Sequence, residues 1–110
     1  MTWKVALHPE AEAELAKLPG TEAGAMLHAA EKLAALGAGL PFPHSSNVNE
    51  AAKLRELRPR AGNSPWRGLY RRVGEVFVIA AIAPEAASDR RGFRRAVRAA
   101  EKRLDELQED

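Results

Sequence analysis

Seven cationic side chains and two large aromatics stand between Lys53 and Arg72, in the run KLRELRPRAGNSPWRGLYRR, against the single acid Glu56. A guanidinium grips phosphate through paired hydrogen bonds and stacks on bases, which an ammonium does less well. A stripe of this composition points to phosphate chemistry, with nucleic acid as the leading partner class. The alternative is a solvated basic surface that meets an acidic protein. Cleavage of RNA through the adjacent 2'-hydroxyl needs a proton acceptor, charge stabilisation on the phosphorane and a donor for the leaving oxygen. Arg67 with Arg58 would meet the second need. For proton transfer the nominal candidates are His44, Tyr70, Glu56, Glu85 and Asp89, because an ordinary Arg stays protonated at neutral pH.

The stripe sits in an asymmetric chain. Residues 1–52 hold three Lys against six Glu, whereas residues 53–110 hold fourteen Lys and Arg against nine acids, and the net +2 conceals the difference. With 110 residues and 45% hydrophobic content the chain is read as a single domain, 1–110, able to bury one core. It has no cysteine and three scattered His, which excludes disulfide and thiolate chemistry and gives no zinc spacing. No metal or cofactor is implied. The start MTWKVALHPEAE lacks a basic segment followed by a long apolar run, and no window approaches the ~20 apolar residues of a membrane span. The expected location is the cytoplasm, with no membrane partner.

Several elements must position the stripe. Trp3 to Leu7 alternates as a short strand that ends at His8-Pro9. The acid-rich EAEAEL predicts a short helix closed by Pro19-Gly20, and Thr21 caps a second helix whose apolar period runs to the stop at Gly37. The two form a hairpin whose inner face should cover a sheet. Residues 37–52 read as an irregular connector, in which His44 and the Ser-Ser-Asn run are ordinary loop residues or reach toward a site. Strands are expected over Lys53 to Arg58, Trp66 to Val73 and Val76 to Ala83, with a turn from Pro59 to Pro65 and a tight reversal at Gly74-Glu75, giving an antiparallel meander. A last helix from Ser88 or Asp89 to Gln108 sets Phe93, Val97, Ala100 and Leu104 on one side and seven cations elsewhere. Its RRGFRRAVR stretch would track a phosphate backbone, meet acids of a partner or simply be solvated. Trp66 and Tyr70 share a strand face, suited either to stacking bases or to packing under the helices.

The order of strand, helix pair, three-stranded meander and terminal helix, with LRELR at 54–58, WRGLYRR at 66–72 and the apolar strand from Val76, resembles the RelE and HigB group of type II toxins, in its phage-derived HigB-like branch. The resemblance runs from about Trp3 to Leu107. It implies an α+β RelE-like fold, in which a short N-terminal strand and a helical hairpin pack on a curved antiparallel sheet with a C-terminal helix. The implied activity is that of a small ribonuclease, an mRNA interferase that enters the ribosome and cuts mRNA, held inactive by a cognate antitoxin, often one with a helix-turn-helix domain. Arg67 matches the Arg that follows an aromatic residue in the family and is the first choice for the scissile phosphate. Arg58 falls at a commonly basic position and His44 at an upstream histidine or polar loop; these three are the catalytic expectation. Lys53, Arg55, Tyr70, Arg71, Arg72 and Arg94 are the expected RNA-binding set. The chain departs from the family after the last strand, where APEAASD at 83–89 stands in place of a basic or basic-aromatic cluster. A noncatalytic protein-binding module, or a ParE-like toxin directed at gyrase, is the alternative.

Overall fold

Proline at the first helical position ends the N-terminal strand and starts a helix whose first turn is acidic. In the computed structural model, which describes residues 2–108, these elements are β1 (Lys4–Leu7) and α1 (Pro9–Ala16). The ring Nδ1 of His8 accepts the Glu10 amide at 3.1 Å, while Glu10 and Glu12 sit favourably at the positive end of α1. After the Pro-Gly turn, α2 (Gly20–Leu36) runs until Gly37, whose φ of +55° stops it. A Cβ at Gly37 would overlap the Trp3 indole, so glycine is required there twice over.

The remaining strands are β2 (Ser45–Asn47), β3 (Arg55–Leu57), β4 (Trp66–Val73) and β5 (Val76–Pro84), followed by α3 (Arg90–Gln108). The sheet order is β1-β5-β4-β3-β2. The expected meander is present as β3-β4-β5. Two features extend it: β1 joins β5 in parallel, which the crossover through the helical hairpin allows, and β2 pairs antiparallel with β3 inside the segment read as an irregular connector. Polar SSN has no apolar alternation, and it becomes a strand because β3 offers its edge.

Helices cover both faces of the sheet. Met26 and Leu33 of α2 pack with Leu57, Tyr70, Phe77 and Ile79 on one face, and Phe93, Val97, Ala100 and Leu104 of α3 pack with Leu69, Val78 and Ala80 on the other. Each fully buried leucine among them contributes about 1.5–3 kcal/mol. Strand β5 carries an extra residue, Ala80, where the register slips between Leu69 and Tyr70. Its loosened backbone is taken up from both sides: Arg103 Nη1 donates to the Ala80 carbonyl at 2.7 Å and the Ile82 amide donates to Glu14 Oε1 at 3.0 Å. Arg103 also pairs with Glu14 at 2.9 Å and Glu10 at 2.8 Å, tying α3 to α1 around the sheet. Burial pushes the Glu14 carboxyl up, but the Arg103 hydrogen bond and the Ile82 amide outweigh it and hold the group below its ordinary range. Among the described residues no helix is long and apolar enough to cross a membrane.

Candidate nucleic-acid interface

The basic run folds into two open hollows and one buried ionic cluster. The larger hollow, about 500 Å³, is lined by Ala38, Lys53, Arg55, Tyr70, Arg71, Arg72 and Phe77. It therefore unites five of the six expected RNA-binding residues. Alternation along β3 and β4 places Arg55 and Tyr70 directly opposite each other. Arg55 is held by two acceptors, donating from Nε to Ser45 Oγ at 2.9 Å and from Nη1 to Asn47 Oδ1 at 2.7 Å. Ser45 in turn bonds the Tyr70 hydroxyl at 2.6 Å. The Arg72 guanidinium lies over the Trp3 ring at 4.8 Å and donates to the Gly74 carbonyl at 2.8 Å, and Arg71 pairs with Asp105 at 3.5 Å. Of the two roles open to Tyr70, stacking on bases or packing under the helices, its ring takes the second. It is 3% exposed and set edge-on to Phe77, so its ring is committed to packing and only its hydroxyl serves the hollow.

The second hollow, about 260 Å³, is lined by Ala25, His28, Ala29, Lys32, His44, Leu57, Arg58 and Arg60. It brings together two of the three expected catalytic residues, His44 and Arg58. The sequence reading missed His28, Lys32 and Arg60. Their signal was present in part, since His28 and Lys32 are one turn apart on a mostly apolar helix. Arg55 faces the first hollow and Leu57 lines the second, so the two lie roughly 7 Å apart along β3. The tight turn after β3 aims Arg60. Arg60 and Ala61 both take left-handed φ values, 52° and 55°, which are unusual outside glycine. Arg60 is then anchored to α2 by Glu22 at 2.7 Å and the Thr21 carbonyl at 3.2 Å. Ser64 also donates to Glu22, and hydrogen bonds from Ser64 and Arg60 hold that carboxyl below its ordinary range.

Arg67 lies apart from both hollows. It is 4% exposed, and its donors are occupied by the carbonyls of Ser64 at 2.6 Å, Trp66 at 2.9 Å and Gly62 at 3.4 Å, and by Glu85 at 3.1 Å. Glu56 lies 3.4 Å from its Nε and accepts from Arg58 Nη1 at 2.8 Å, so the four side chains alternate in sign. Burial, and then the nearby Arg58 charge, lower the Arg67 pKa while both glutamates raise it; the group stays cationic at neutral pH. As placed, Arg67 has no donor left for a phosphate, and its position organises Glu56 and thereby Arg58. Glu85 comes from the 83–89 segment that departs from the toxin pattern. Arg94 is remote from this site, on α3 across the sheet. Among the described residues no group of three or more His, Asp or Glu is placed to hold a metal.

The family profile of phage-derived Gp49-like proteins matches residues 13–83, more than half of the chain and all of the strands that build the hollows. The chain belongs to this Gp49-like family. Its fold is that of RelE. A double arginine-to-alanine mutant of the Escherichia coli toxin RelE in the free state superimposes with a TM-score of 0.63 at 14% identity, covering 89% of this chain and 97% of that one. The RelBE2 toxin–antitoxin complex of Mycobacterium tuberculosis gives 0.60 at 21% identity over 77% of this chain and 100% of its counterpart. The archaeal RelE–RelB complex of Pyrococcus horikoshii gives 0.55 at 22% identity over 76% and 96%. No curated protein matches the sequence.

Proposed function

We propose that this Gp49-like chain is the toxin of a type II toxin–antitoxin pair, acting in the cytoplasm as a ribosome-dependent mRNA endonuclease. The observation that carries the reading is the convergence of His44 and Arg58 in one pocket beside a hollow that holds four further cations. Two fold neighbours are toxins crystallised with antitoxins, which supports a cognate antitoxin as partner. A helix-turn-helix domain on that antitoxin and the ribosome as platform belong to the proposal.

In the proposed reaction Lys53, Arg55 and Arg72 hold the backbone of an extended RNA strand, and the next phosphate enters the smaller pocket. Neutral His44 takes the proton of the 2'-hydroxyl as its oxygen bonds to phosphorus. Arg58, with Lys32 and Arg60 nearby, stabilises the charge that grows on the phosphorane oxygens. The bond to the 5'-oxygen breaks, and a protonated His28 returns a proton to it, leaving a 2',3'-cyclic phosphate and a 5'-hydroxyl. Arg67 acts at one remove, as a positioning residue that fixes Glu56 against Arg58. The ribosome would supply alignment of the strand, a contribution that lets modest acid–base groups suffice.

The burial of Arg67 and the acidic replacement at Glu85 favour one other reading, a noncatalytic binding module or gyrase-directed toxin on the same scaffold. Mapping mRNA 5' ends after brief induction separates them, using wild type beside His44→Gln in cells without antitoxin. New cuts in translated regions that vanish in the folded variant support the nuclease. Growth arrest with intact mRNA would sink it and redirect the search to a protein target.

A further inference from the structure

Phe42 is 70% exposed, the one aromatic among the described residues that the fold leaves in solvent. Trp3 and Trp66 are half-buried, and Tyr70, Phe77 and Phe93 lie in the core. The exposed ring is carried on a built turn. Pro41 and Pro43 flank it and restrict the backbone on both sides. The Pro41 carbonyl accepts the amides of His44 at 2.9 Å and Ser45 at 3.1 Å, closing the turn that carries Phe42. Arg58, just after β3, fastens this turn twice: its amide donates to the His44 carbonyl at 2.9 Å and its Nε to the Pro43 carbonyl at 2.9 Å. The same guanidinium, which also donates to Glu56, lies over the Phe42 ring at 5.4 Å from the centroid.

The position of the ring gives it a use. Arg58 lines the smaller hollow with His28, Lys32, His44 and Arg60, so Phe42 stands at the rim of the pocket assigned above to the phosphate. A nucleotide joins a flat base to a phosphate, and a flat ring beside a guanidinium is its complement. No other aromatic is placed to take that base. Tyr70 packs edge-on to Phe77, and Trp3 has Phe77 at 5.4 Å and the Arg72 guanidinium at 4.8 Å. Trp66 packs against the core and borders a different hollow beside Glu14 and Asp89, whose charges repel a phosphate. In a double helix the faces of a base are already stacked, so only an unpaired strand can offer one to Phe42. A protein partner is the competing occupant, and it would need an apolar centre. Here the ring meets a guanidinium at a rim set with Lys32, Arg58 and Arg60, which favours an occupant that is both flat and anionic.

We infer that Phe42 is a stacking platform for one base of single-stranded RNA, in the nucleotide next to the phosphate held in the smaller hollow. The inference rests on the nuclease reading of that hollow and adds to it a residue that touches the substrate. The test uses the purified full chain off the ribosome, with labelled oligoadenylate and a matched oligomer of ribose phosphates that lacks the bases. Wild type is compared with Phe42→Ala, Phe42→Trp and Arg58→Ala. Phe42→Ala should weaken oligoadenylate binding by roughly 5- to 150-fold, the range for losing one base-stacking aromatic, and leave the baseless oligomer unaffected. Phe42→Trp should keep wild-type affinity for both. Because the ring is exposed, both Phe42 variants should unfold with wild type. Equal losses on the two oligomers would mean that the ring only props Arg58, and unchanged oligoadenylate binding in Phe42→Ala would mean that it holds no base; either overturns the inference. The nuclease reading fails by a different result. If wild type binds neither oligomer, or Arg58→Ala changes neither affinity, the hollow holds no RNA and the inference falls with it. Loss of both affinities in Arg58→Ala, with none in Phe42→Ala, removes the stacking alone.

Discussion

Replacing Arg67 with alanine should destabilise the protein strongly, before it informs on chemistry. The side chain is 4% exposed and serves three backbone carbonyls and two carboxylates. Truncation strands the carbonyls, leaves Glu85 without its counter-charge and leaves Glu56 with Arg58 alone. Breaking a buried ionic group in this way costs about 3–5 kcal/mol, a large share of the roughly 5–15 kcal/mol that holds such a domain together. At about 4 °C per kcal/mol for a chain of this size, the melting temperature should drop by roughly 10–20 °C. Arg67→Lys should fall between, because a single ammonium keeps the charge but cannot span carbonyls and carboxylates at once. By contrast Arg58→Ala, at a partly exposed position, should cost no more than about 1 kcal/mol. Thermal unfolding followed by circular dichroism measures all three. An Arg67→Ala protein that melts within about 3 °C of wild type, less than 1 kcal/mol, would refute the reasoning and restore Arg67 as a free phosphate ligand. Loss of growth arrest in an unfolded Arg67 variant says nothing about catalysis, which is why His44 is the informative position.

Glu14→Gln should remove a pH-dependent contribution to stability. The folded carboxyl titrates below its ordinary 4.5, so its contribution is complete above that pH and is lost as pH falls through the lower folded value. Denaturant titrations between neutral pH and about pH 3 should show wild type converging on the variant, with a gap of about 1 kcal/mol at neutral pH for this partly exposed pair; a constant gap across the range would contradict the assignment. Ser45→Ala should cost about 1–3 kcal/mol, since the buried hydroxyl joins Tyr70 to Arg55. It should also weaken binding of a short RNA by releasing Arg55 into several rotamers, and unchanged affinity would show that Arg55 takes no part.

The elements with a strong apolar period were legible from sequence: the hairpin helices, β4, β5 and α3 all lie where their spacing put them. What escaped depended on pairing between distant segments. Strand β2 is polar and exists through β3, and the parallel entry of β1 follows from where the hairpin returns the chain. The charge stripe brings Lys53, Arg55, Arg71 and Arg72 around one hollow, although alternation puts Arg71 on the face opposite Arg72, where it pairs with Asp105 of α3. It could not reveal that Arg67, near the start of β4, finds two glutamates and three carbonyls. The one hint was Glu56, the lone acid in the run.

A cluster of four charged groups around the buried Arg67 is a poor way to stabilise a core, since apolar residues of similar volume often do as well. Its geometry suggests a different use here. Glu56 joins Arg67 to Arg58, and Arg58 Nε is tied to the Pro43 carbonyl at 2.9 Å, so a partly exposed guanidinium at the pocket wall is fixed at two points. Next to it Arg60 is aimed by a turn that holds two non-glycine residues in the left-handed region, a local cost met by its bond to Glu22. Both devices sacrifice stability to set cations in place before a ligand arrives. Charge already oriented needs no rearrangement when negative charge develops on a phosphate, and that is the condition under which electrostatic stabilisation is worth most. His28 and His44, the acid–base pair of the proposed reaction, line the pocket that these fixed cations surround.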